Sequence, residues 1–102
     1  MNSTQRELMA AAVERSHRLY SLRETEKITG RLRPQLMRWL SYQPPKINAL
    51  LDNSERPPRY KIPATQVAEI IRTPAHATPR FIPWKGLDDL RTQYGQKPKS
   101  HE

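Results

Sequence analysis

Residues 21–40 read SLRETEKITGRLRPQLMRWL, and this stretch decides the architecture. Ser21 and Glu24 have the spacing of a capping box, in which the serine oxygen accepts from a helical amide and the glutamate reaches back. Leu22, Thr25 and Ile28 then fall on one helical face, and Gly30 supplies the left-handed backbone that ends the helix. Pro34 follows in the first turn of a second helix, where its missing amide costs nothing. Leu36, Trp39 and Leu40 give that helix an i, i+3, i+4 apolar face. Two short helices separated by a tight glycine turn make a helix-turn-helix by spacing. Arg31, Arg33 and Arg38 crowd the join, which is more cation than a surface turn requires.

Upstream, Thr4 and Glu7 form a second capping-box pattern, and Leu8, Met9, Ala12, Val13 and Leu19 recur near helical spacing. A helix is expected within residues 1–19, with Glu14 and Arg18 as a favourable i,i+4 pair. Its apolar stripe suits packing on the domain or, as the alternative, self-association; two turns are too few to specify a coiled coil.

Downstream, Gln43-Pro44-Pro45 stops the third helix. Residues 46–51 fit a short strand, and residues 52–58 are a loop by their turn-former content. Arg59-Tyr60-Lys61-Ile62 alternates charged and apolar side chains as a half-buried strand does. Strand, loop and strand make a hairpin standing out from the helices as a wing. A further helix is expected over 65–71, with Val67, Ile70 and Ile71 on one side. Pro74, Pro79 and Pro83 then break regular structure, a short helix is expected over 86–94, and the last eight residues read as disordered. The expected class is mainly α with a small β-hairpin wing, organised as 1–19, 20–72 and a Pro-rich, partly disordered 73–102.

Composition bounds the function. The chain has 102 residues, and 13 of its 19 Leu, Ile, Val and Phe residues lie within 19–71, so the core is thin. The net charge is +8 and the sequence pI about 10.3; residues 1–46 hold 9 Lys and Arg against 4 acids. The cationic field therefore belongs to the folded part and not to a basic tail, which favours a polyanionic partner. There is no cysteine, hence neither disulfide nor thiolate site. No apolar run approaches a membrane span, and the N-terminus is polar, so the expected location is the cytoplasm, associated with the nucleoid. His17, His76 and His101 lack metal-ligand spacing, and glycines at 30, 86 and 95 cannot form a phosphate loop. No enzyme activity, metal, cofactor or small-molecule ligand is expected.

Residues 20–71 resemble the winged helix-turn-helix of excisionases and MerR-type regulators. The resemblance is carried by Y-S-L-R-E at 20–24, the Gly30-to-Trp39 spacing with L-M-R-W at 36–39, and R-Y-K-I-P at 59–63 leading into V-A-E-I-I. It implies that the second helix enters the major groove of double-stranded DNA while the strand pair lies against the backbone. It also implies one of two roles. One is a recombination directionality factor acting with an integrase; the other is a small MerR-like regulator of a mobile element. A basic RNA- or protein-interaction module is the alternative of another class. The aromatic residues, spread along the sequence and mostly at packing positions, weigh against RNA.

With Leu36, Trp39 and Leu40 inward, Arg33, Gln35, Arg38 and Tyr42 are the base-reading candidates, since arginine reads guanine and glutamine adenine. Arg31, Lys46, Arg56, Arg59 and Lys61 are the phosphate and wing candidates. Trp39 belongs to the core by its phase. Phe81 and Trp84, in an apolar patch between prolines, are candidates for partner contact.

Overall fold

In the computed structural model of the chain, residues 2–84 are described. They form four helices and one three-stranded antiparallel sheet, in the order α1 (Ser3–Ser16), β1 (Leu19–Ser21), α2 (Leu22–Thr29), α3 (Arg33–Ser41), β2 (Leu50–Asp52), β3 (Arg59–Pro63) and α4 (Ala64–Arg72). Among the described residues, no helix is long and apolar enough to cross a membrane. The helix expected over 86–94 lies outside the described residues.

The helix α1 starts two residues earlier than its sequence suggests. Asn2, not Thr4, is the N-cap: its side chain accepts from the Gln5 amide at 2.8 Å, and Gln5 accepts from the Asn2 amide at 3.3 Å. Asparagine is as good a cap as threonine, so the earlier pair wins and Glu7 is released for another partner. The helix ends at Ser16, with His17 left-handed at φ 53°, which removes Arg18 from the helical face. The expected Glu14–Arg18 pair therefore does not form. The buried stripe also differs. Ala10 and Val13 are buried and Met9 packs beside them, whereas Leu8 is 65% exposed and Ala12 is exposed.

The strand β1 is absent from the sequence pattern because three residues are too few to show alternation. It exists through partners far along the chain, with Leu19 opposite Pro63 and Tyr20 opposite Ile62. On the other side of β3, Leu50, Leu51 and Asp52 face Lys61, Tyr60 and Arg59, so the sheet order is β1-β3-β2. The strand expected over 46–51 shrinks to its last two residues and gains Asp52. Residues 46–49 run irregularly, and the Lys46 amide returns to the Trp39 carbonyl at 2.8 Å. Burial of Ile47 and a bond from Asn48 to α4, not strand pairing, fix this segment.

The last helix, α4, is the pillar of the core, and more of it is buried than one apolar side. Val67, Ala68 and Ile71 pack with Ala10, Val13, Tyr20 and Ile62, while Ile70 packs with Leu36, Trp39 and Ile47. Each such aliphatic side chain contributes roughly 1.5–3 kcal/mol on burial. Arg72 then ties α4 to α1: it reaches Glu7 at 2.9 Å and Glu14 at 3.4 Å. These two carboxylates push the guanidinium up from its ordinary value, and Arg72 in turn holds the Glu7 carboxyl below the usual range.

Residues 73–84 contain no helix or strand, as the prolines dictate, yet they are pinned. Gln66, fully buried on α4, donates to the Arg80 carbonyl at 3.0 Å. Its oxygen accepts from the amides of Asn48 at 2.9 Å and Ile82 at 3.2 Å. Asn48 adds a bond to the Ile82 carbonyl at 3.1 Å. One buried amide thus fastens two irregular segments to the core.

Candidate nucleic-acid interface

Ser21 is both the last residue of β1 and the N-cap of α2. Its hydroxyl accepts from the Glu24 amide at 3.1 Å, and Glu24 accepts from the Ser21 amide at 3.0 Å, as the capping box requires. The second Glu24 oxygen takes the Arg18 guanidinium at 2.6 Å. The backbone bond from Ser21, with Arg18 beside it, holds the Glu24 carboxyl below its usual value. Thr25 is fully buried and donates to the Ser21 carbonyl, so a polar side chain enters the helix contact without an unmet bond.

At the end of α2, Gly30 takes φ 73° and its amide donates to the Glu26 carbonyl at 2.9 Å. Leu32 then caps α3 in an extended conformation with no side-chain cap, and Pro34 sits in the first turn. Leu36 and Trp39 are buried and Leu40 half-buried, which places the inner face as its spacing indicates. Arg33, Arg38 and Tyr42 are consequently exposed, and Gln35 is half-buried beside the inner row. Glu26, near the end of α2, pairs with Arg33 at 3.1 Å and so spans the turn.

Arg31 is occupied elsewhere. Its guanidinium donates to the carbonyls of Thr73, Pro74 and Ala75 at 2.8, 3.0 and 3.1 Å, capping the chain that leaves α4. It also lies 5.4 Å from the Trp39 ring centroid. Burial, with Arg6 nearby, pushes this guanidinium down from its ordinary value. The geometry makes Arg31 a brace between the turn and α4.

Of the hairpin cations, Arg59 lies beside α2 and α3. Arg59 is exposed and Lys61 half-buried, and both reach Glu55, at 3.4 and 3.2 Å. Arg56 is exposed in the loop, which opens where Asp52 accepts from the Ser54 amide and hydroxyl. Those bonds, led by the hydroxyl, hold the Asp52 carboxyl down. Lys46 is exposed, its ammonium 5.7 Å from the Tyr42 ring centroid.

Between the start of α2, the outer side of α3 and the hairpin runs an open groove of about 560 Å³. Arg23, Arg33 and Arg59 line it, with Met37 and Tyr60 between them. The structure thus brings Arg33 and Arg59 together and adds Arg23, which the sequence reading passed over. Its phase offers the missing signal, because Arg23 and Lys27 lie one turn apart on the exposed side of α2, away from Thr25.

Phe81 is 42% exposed and Trp84 half-buried, and they do not stand alone. Together with Tyr42 and Tyr60 they line a second open cleft of about 440 Å³. The aromatics are spread out in the sequence but not in the fold. Among the described residues, no group of three or more His, Asp or Glu side chains is placed to hold a metal ion. No family model matches this sequence, and neither a curated protein nor a solved structure matches it.

Proposed function

We propose that this chain is a sequence-specific, double-stranded DNA-binding protein built as a winged helix-turn-helix, with α3 as the recognition helix and β2–β3 as the wing. The observation that carries it is the groove between α3 and the hairpin, lined by Arg23, Arg33 and Arg59. A cationic channel flanked by an exposed helix face suits a duplex whose backbone runs between helix and wing. Arg33 and Arg38 read bases, with Gln35 and Tyr42 at the edges of the same face. Arg23, Arg56, Arg59, Lys61 and Lys46 meet phosphates. The wing is braced because β3 is the central strand, held by β1 on one side and β2 on the other.

Within this reading, the role of a recombination directionality factor acting with an integrase is favoured over that of a MerR-like regulator. The helix after the wing, α4, turns back onto α1 through Arg72 instead of projecting as a dimerisation arm.

The test is fluorescence anisotropy with a duplex selected from a random pool, against scrambled duplex and structured RNA. Arg33→Ala or Arg38→Ala removes roughly 1–3 kcal/mol of discrimination between selected and scrambled duplex. Arg59→Ala weakens both alike and lowers the salt slope by about one. Unchanged discrimination in Arg33→Ala, or tighter binding of RNA, overturns the proposal.

A further inference from the structure

The chain has seven aromatic residues, four Tyr, two Trp and one Phe. Tyr20 and Trp39 are buried in the core, at 4% and 5% exposure, and Tyr94 lies outside the described residues. The remaining four, Tyr42, Tyr60, Phe81 and Trp84, all line the one cleft of about 440 Å³. Burial alone does not explain this convergence. Tyr42 and Phe81 each keep 42% of their surface exposed, so neither is packed away as Tyr20 and Trp39 are.

The cleft is also held open by bonds. Gln66 and Asn48 fix the backbone on both sides of Phe81, at Arg80 and Ile82, and thereby set the wall that carries Phe81 and Trp84. The opposite wall is the end of α3, where Tyr42 follows the last helical turn. Tyr60 lines both the cleft and the arginine-lined groove, so the two adjoin at that residue. Lys46 stands over the Tyr42 ring, and Gln43 offers an exposed amide on the rim. A volume of this size falls in the range of small-ligand pockets, about 300–1,000 Å³.

Partly exposed rings with a cation beside them, adjoining a cationic groove, are the elements of single-strand nucleic-acid binding, where bases stack on aromatic faces while cations hold the backbone. We propose that the cleft is a stacking site for unpaired bases of a DNA strand that leaves the duplex at the α3–wing groove. Lys46 then neutralises a phosphate of that strand, and Tyr60 marks the passage from paired to unpaired DNA. The chain would read a junction or a locally opened site, not an unbroken duplex alone. The adjoining arginines favour a nucleic-acid strand over an uncharged proline-rich peptide, the other ligand that aromatic grooves take. The inference rests on the duplex reading only for the strand's point of entry.

The test uses the full chain and its tryptophan emission. Trp39 is buried on α3, so the blunt duplex gives its contribution, and a further change caused by the extension reports Trp84. The probes are an eight-residue oligothymidylate, a blunt duplex, the same duplex with a four-nucleotide single-stranded extension, and a proline-rich decapeptide. The extension is expected to tighten binding at least fivefold and to quench the emission. Phe81→Ala is expected to lose roughly 5- to 150-fold in the single-strand arm, the range measured for one stacked base, and to leave the blunt duplex unaffected. If the oligothymidylate quenches in a Phe81-dependent way while the blunt duplex fails to bind, the duplex reading falls and the stacking site stands. If the blunt duplex binds through Arg33 but the extension adds nothing and the emission does not move, the stacking site is overturned. Quenching by the peptide alone also overturns it. Should Phe81→Ala not fold, as far-UV circular dichroism would show, the comparison of blunt and extended duplex on the unaltered chain decides.

Discussion

Replacing Gln66 by leucine should destabilise the fold by about 1–3 kcal/mol, although the two side chains are similar in size. Gln66 is fully buried and makes three hydrogen bonds, to Asn48, Arg80 and Ile82. The Asn48 amide sits on a residue only 6% exposed, so losing its acceptor leaves a buried donor unmet, at about 1–3 kcal/mol. The Ile82 amide and Arg80 carbonyl belong to more exposed residues and regain water, so each loses about 0.5 kcal/mol. The apolar surface gained with leucine offsets roughly 1 kcal/mol. Equilibrium urea unfolding is the assay. With a slope of about 1–3 kcal/mol per molar for a small protein, the midpoint should fall by roughly 1 M at unchanged slope. Trp84 emission should also shift to the red in the folded variant, because the wall beside it loses its tether. A midpoint within about 0.2 M of the parent would refute the reasoning, since Asn48 would then have another acceptor.

Three further outcomes are expected. Gly30→Ala should cost about 1 kcal/mol, all of it conformational, because φ is 73° and no atom lies within 4 Å of an added Cβ; Gly30→Asn should cost less, as thermal unfolding will show. Glu7, Glu24 and Asp52 have carboxyls held below their ordinary values by Arg72, by the Ser21 backbone with Arg18, and by Ser54. A depressed carboxyl adds stability that is complete above its unfolded value and lost as pH falls through the folded one. Stability should therefore decline below about pH 4.5, and Arg72→Gln should shrink that decline, as urea titrations at each pH would measure. Arg31→Ala should destabilise the chain more than it weakens scrambled-duplex binding at fixed folded fraction, whereas a phosphate contact would show the reverse.

What was legible in the sequence was what neighbours in the chain decide. The Ser21–Glu24 capping box, the left-handed Gly30, the burial of Leu36 and Trp39, and the strand over Arg59 to Ile62 are signals of one to five residues, and all stand in the fold. Burial nevertheless deepens along that strand from Arg59 to Ile62, where its pattern implied alternation. The shift from Thr4 to Asn2 is a contest between two good caps two residues apart, which local pattern does not rank. The three residues of β1 could not announce themselves, because their cause is β3. Arg31 was placed by proximity to the turn, but its partners are 42 to 44 residues away. The aromatic cleft was hidden for the same reason: it depends on Gln66, whose bonds reach 14 to 18 residues along the chain. A buried glutamine in an apolar helix was the one sequence hint of such a tether, since buried amides need partners.

The place of β3 between β1 and β2 also dictates an order of assembly. β1 precedes both α2 and α3 but has nothing to pair with until β3 has been made, and α1 lacks its packing surface until α4 follows. Closing so long a loop is entropically costly and is repaid only when the central strand and pillar helix dock together. On the ribosome, the helices bearing the arginines would emerge first, without the scaffold that aims them. Their cationic side chains would meet the surrounding RNA as part of an unfolded basic segment, and only synthesis through Arg72 would fix the positions they take in the fold.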